Sequence, residues 1–121
     1  MKNVILNVKN KNWGEIGPNS WLERHWIIYD DLLVDYSVIY NGKENNKKVV
    51  NFSIDRESLN VLMKELELAK DNDNKVEALD GDVWEFIQYN NGKEVWKRDV
   101  GYIYGLSHLE NITKILKKII K

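Results

Sequence analysis

Apolar and polar residues alternate through most of the first fifty positions. Residues 4–8 (Val-Ile-Leu-Asn-Val) read as a short strand. Residues 21–29 (Trp-Leu-Glu-Arg-His-Trp-Ile-Ile-Tyr) form an aromatic and β-branched run that stops at Asp30-Asp31, which predicts a second strand. Residues 32–40 predict a third, ended by Asn41-Gly42, a pair whose tolerance of positive φ suits a tight hairpin. A fourth is expected over 47–54. Between 10 and 20 the chain places Gly14, Gly17 and its one proline, Pro18, so this stretch reads as a loop.

The period changes after Asp55. Leu59, Leu62, Met63, Leu66 and Ala69 recur at helical spacing and predict an amphipathic helix over 56–70, with Asp55 as its N-cap. Asp71-Asn72-Asp73-Asn74 is a polar linker. Beyond it the pattern resumes, with strands expected at 75–79, 82–89 and 94–104 and turns at Asp80-Gly81 and Asn91-Gly92. A second helix is expected over 108–120, buried along Leu109, Ile112 and Leu116. Ser107 and Glu110 have capping-box spacing, and Lys114, Lys117, Lys118 and Lys121 solvate the outer face.

A shift of fifty residues overlays the second half on the first. Ten identities fall between 30–70 and 80–120, among them Asn41/Asn91, Gly42/Gly92, Lys43/Lys93, Glu44/Glu94, Leu59/Leu109 and Leu66/Leu116. The repeated turn and helix stripe predict a tandem βββα duplication, with units at 21–70 and 75–120. A single domain of α+β class follows: a mostly antiparallel sheet of six to seven strands carrying two amphipathic helices.

Composition narrows the chemistry. Lys and Arg number 18 against 19 acidic residues, a net charge of −1, so the chain lacks the basic field of a dedicated nucleic-acid binder. The cysteine count is 0, which removes disulfides, thiol nucleophiles and thiolate metal sites. The apolar N-terminal run is too short for a signal-peptide core, and no apolar run approaches the roughly 20 residues of a membrane span. These features together favour the cytoplasm. Nucleotide-binding, zinc-protease and hydrolase motifs such as GxGxxG, GxxxxGK[ST], HExxH and GxSxG are absent.

Aromatic residues mark the first candidate site. Alternation sets Trp84 and Phe86 on one face of their strand, and Trp96, Arg98, Val100, Tyr102 and Tyr104 on one face of the next. A ladder of Trp84, Trp96, Arg98, Tyr102 and Tyr104 has the residue types that dominate binding hot spots; its competing reading is the core of a small domain. His25 shares a strand face with Glu23, a pairing suited to acid-base work, although a lone strand histidine is more often structural. His108 falls in the first turn of the second helix. Asp35 and Glu85 hold equivalent repeat positions and would make an acid/base or cation-binding pair only if they converged. Asp71 and Asp73 resemble the start of a calcium loop, but its glycine and terminal glutamate are missing.

No cofactor and no metal are implied. The expected function is non-enzymatic protein binding, of an inhibitor or immunity-like kind. Sheet-based binding of a nucleotide or carbohydrate comes second, and a hydrolase using His25 or the Asp35/Glu85 pair third. Oligomeric state and partner identity have no sequence signal.

Overall fold

A computed structural model describes residues 3–12, 21–40, 47–72, 82–100 and 107–119. Among the described residues six strands form one antiparallel sheet. They are β1 (Val4–Asn12), β2 (Trp21–Tyr29), β3 (Leu33–Tyr40), β4 (Lys47–Ser53), β5 (Asp82–Asn90) and β6 (Lys93–Val100). Helix α1 (Arg56–Asn72) follows β4, and α2 (Ser107–Ile119) follows β6. The order across the sheet is β4-β3-β2-β1-β5-β6. This is the α+β architecture that the change of period predicts.

Strand β1 runs four residues beyond the expected 4–8. Lys9 to Asn12 carry little strand propensity, but β1 lies between β2 and β5 and its backbone pairs on both sides. Ladder hydrogen bonds in a central strand therefore extend it through a polar stretch that propensity alone reads as loop. Leu32, expected as the start of a strand, sits instead in the β2–β3 turn with φ of 72°. Its N–H donates to Tyr29 O at 3.2 Å, its carbonyl accepts from Ile54 N at 2.9 Å, and its side chain packs against the core. Those contacts hold a leucine in a left-handed conformation that costs roughly 1–2 kcal/mol. The other hairpin uses the expected pair: Asn91 and Gly92 have φ of 53° and 79°, matching the right-handed twist of β5 and β6.

Direct pairing determines which side chains share a face. Across the sheet, Leu6, Val8, Asn10, Trp26, Ile28, Val34, Trp84, Phe86 and Val100 point to one side, and each is buried. The helices cover that side. Leu59, Leu62, Leu66 and Ala69 of α1 join Leu109, Ile112 and Leu116 of α2 in a core with the sheet residues. Two stacked ring pairs run through it, Trp26–Trp84 with centroids 5.8 Å apart and Trp84–Phe86 at 6.1 Å. Asp55 caps α1 as expected, its Oδ1 accepting from Ser58 N at 2.6 Å. Between the helices, His108 Nδ1 donates to Glu65 Oε2 at 2.7 Å.

The order β3-β4-α1 recurs as β5-β6-α2, with the two hairpins at opposite edges of the sheet. The predicted strand at 75–79, the Asn41-Gly42 and Asp80-Gly81 turns, and the 101–104 end of the last strand lie outside the described residues. So does Asp73.

Candidate functional site

The described members of the aromatic ladder, Trp84, Trp96 and Arg98, lie on the helix-covered side. Trp84 is 1% exposed, stacked between Trp26 and Phe86, with Lys117 of α2 5.7 Å from its ring centroid. It is a core residue, in line with the competing core reading of the ladder at this position. Trp96 is half-buried against the core, and Arg98 lies beside it with Cζ 5.1 Å from the indole centroid. Arg98 Nη1 donates to Ala69 O at 3.0 Å, placing a cation on a last-turn carbonyl of α1, where the helix dipole favours positive charge. These two residues link sheet edge to helix end. Tyr102 and Tyr104 lie outside the described residues.

The catalytic alternatives fall on the opposite side of the sheet, which is helix-free among the described residues. His25 Nε2 bonds Asn7 Oδ1 on β1, and Glu23 sits two residues along on the same strand. Asp35 accepts a hydrogen bond from Tyr29 Oη at 2.9 Å. That bond to a carboxylate is the leading cause that raises the Tyr29 pKa, because ionising the phenol would forfeit it. Glu85 has Lys97 at 4.0 Å. Strands β2 and β1 separate Asp35 on β3 from Glu85 on β5, three strand spacings or roughly 14 Å. The structure does not bring these two carboxylates together. Among the described residues no group of three or more His, Asp or Glu side chains is placed to hold a metal ion.

Register divides the helix-free face into two zones. One row reads Ser37, His25, Lys9, Glu85 and Asp99 across β3, β2, β1, β5 and β6, and is polar throughout. Lys11 and Glu23 extend that zone toward one end of the strands, and a hollow of about 140 Å³ opens among Lys9, Lys11, Val83, Glu85 and Asp99. Toward the other end the composition turns apolar. Ile27 and Ile87 flank Asn7 in the next row, followed by Tyr29, Tyr89, Val4 and Leu33. None of these is buried, and Leu33 is 42% exposed. An apolar cluster beside a charged row is how protein-docking surfaces are built, with hydrophobic area for affinity and charge for register.

Comparison with protein-family models and with curated proteins finds no match. The functional reading therefore rests on geometry alone.

Two features lay beyond sequence reasoning. Asn10 is fully buried on the helix-covered side; its Oδ1 accepts from Arg24 Nη2 at 2.6 Å and Nε at 3.2 Å, and its Nδ2 donates to Val83 O at 3.3 Å. Arg24 stands 4.2 Å from the Trp21 ring centroid and 5.6 Å from that of Trp26. Burial of Tyr36 beside this cluster raises its pKa, and the Arg24 cation partly opposes the shift. Arg24 and Asn10 are fourteen residues apart in sequence, and only strand pairing joins them. A groove of about 450 Å³ between the start of α1 and the end of α2 is the second; Ile54, Val61, Ile115 and Ile119 line it together with Asp55, Glu57 and Lys118. It joins residues from both ends of the chain's helical layer.

Proposed function

We propose that this chain is a non-enzymatic protein-binding module of inhibitor or immunity-like kind, docking through the apolar half of its helix-free sheet face. The single observation behind the reading is the zoned face: a half-exposed set of Ile27, Ile87, Tyr29, Tyr89 and Leu33 next to a polar row with basic side chains at one end and carboxylates at the other. A sheet face that serves only as a solvated surface alternates polar residues outward along every strand. Here the outward positions of β2 and β5 near one end are isoleucine and tyrosine instead. Cytoplasmic residence, favoured by the lack of cysteine, is part of the same proposal. So is duplication of a hairpin–helix unit, which the fifty-residue identities support.

Affinity capture from native lysate tests the docking face. Ile27→Asp combined with Ile87→Asp is expected to abolish capture while circular dichroism and melting temperature stay near wild type. Trp96→Ala on the helix-covered side is expected to retain it. The reading fails if the double variant still captures the partner, or if Trp96→Ala alone loses it without unfolding.

A further inference from the structure

We propose that a second copy of this chain occupies the helix-free face, in a two-fold dimer whose axis runs parallel to the strands along the β1–β5 boundary. This rests on the reading of that face as a docking surface. A two-fold interface sets the same patch of both copies against itself, so the patch must be self-complementary. The polar row meets that condition. In order across β2, β1, β5 and β6 it reads His25, Lys9, Glu85 and Asp99, with basic side chains on one side of the β1–β5 boundary and carboxylates on the other. Half a turn about that boundary sets Lys9 opposite Glu85 of the second copy and His25 opposite Asp99, each contact occurring twice.

Neighbouring boundaries do not work. An axis between β5 and β6 faces Glu85 with Asp99, so like charges meet, and one between β2 and β1 faces His25 with Lys9 and brings neither carboxylate opposite the lysine. The hollow among Lys9, Val83, Glu85 and Asp99 straddles the chosen axis and leaves room for side chains of the second copy. One row along, Ile27, Asn7, Ile87 and Lys97 follow in the same strand order. The same rotation covers both isoleucines, Ile87 with Asn7 and Ile27 with the aliphatic stem of Lys97. Lys97 Nζ reaches Glu85 Oε2 within one chain at 4.0 Å, a long contact from a half-exposed lysine that leaves the carboxylate able to meet a second cation. Aligned packing of two sheets at about 30° and 10 Å keeps these rows in register near the axis.

Light scattering and sedimentation on four samples decide the matter: wild type, Lys9→Glu, Glu85→Lys, and an equimolar mixture of the two variants. Wild type is expected to dimerise. Each single reversal places like charges in both cross-copy contacts and should raise the dissociation constant more than about tenfold. In the mixture both contacts become Glu–Lys again, so the heterodimer should return, and circular dichroism should show all samples folded. A wild type that stays monomeric to about 1 mM overturns the proposal. So does a mixture no more dimeric than its components, or a single reversal that dimerises like wild type. If dimerisation fails while the Ile27→Asp/Ile87→Asp variant still loses its captured partner, the docking face stands without the self-association. If dimers form as described while capture ignores that double variant, the self-association stands and the partner docks elsewhere.

Discussion

The two faces of this sheet are built from the same strands and differ in what lies above them and in how far charged residues interrupt their apolar ones. On one face α1 and α2 supply a second layer, and Leu6, Val8, Trp26, Ile28, Trp84 and Phe86 in the middle of the sheet are sealed from water. On the other, isoleucines and tyrosines one residue further along each strand remain half-exposed. Aromatic character does not separate the two. Trp84 and Tyr89 are both aromatic, on one strand, five positions apart, yet one is at 1% exposure and the other lies at the surface. The difference shows that aromatic content marks surfaces able to bury area, while coverage by helices decides which of them has already done so.

Substitutions on the two faces should therefore diverge. The largest effect is expected for Trp84→Ala, which removes the middle ring of the Trp26–Trp84–Phe86 stack; chemical denaturation should show a loss of about 3–5 kcal/mol. A loss near that of a surface site would place Trp84 outside the core and undo the comparison. Asn10→Ala comes next. It takes from Arg24 the acceptor of two hydrogen bonds and from Val83 O a donor, so a loss of about 1–3 kcal/mol is expected in the same measurement. On the helix-free face, Ile27→Asp should cost about 1 kcal/mol or less, its effect appearing in binding instead. A cost matching Trp84→Ala would mean that face is covered too.

The smallest expected effect lies at the helix layer and is a matter of pH. The Ser58 backbone N–H, then its hydroxyl, holds the Asp55 carboxyl below the usual aspartate range, and the Lys118 charge adds to this. A lowered folded value means the cap stabilises fully above the ordinary aspartate pKa of about 3.9, and that contribution disappears as pH falls through the lowered value. Asp55→Asn keeps a capping oxygen without a titrating group. Its acid unfolding curve should be flatter than wild type below about pH 4, with little change at neutral pH.

Much of the local structure was legible because it depends on neighbours in sequence. Period 2 against period 3.6 located α1 and α2 to within about two residues at each end, and Asn91-Gly92 marked its hairpin through a backbone preference. Alternation also grouped Trp84 with Phe86, and Trp96 with Arg98, on shared faces. Where the pattern misled, a long-range partner had intervened. Lys9 to Asn12 became strand because β2 and β5 pair with β1 from both sides, and Leu32 left its strand because Ile54 and the core hold it in a turn.

By itself, then, the sequence determined the periods, the Asp55 cap, the class of fold and the sorting of each strand into two faces, since all of these follow from backbone geometry within a few residues. Which face the helices cover was decided only in the tertiary structure. Alternation is symmetric, and in β5 both Trp84/Phe86 and Val83/Ile87/Tyr89 are apolar enough to pack, so nothing local distinguishes them. The placement of α1 and α2 on one side turned the first set into core. It left His25, Lys9, Glu85, Asp99 and the isoleucines beside them on the face that α1 and α2 do not cover, because one helical layer buries only one face of a sheet.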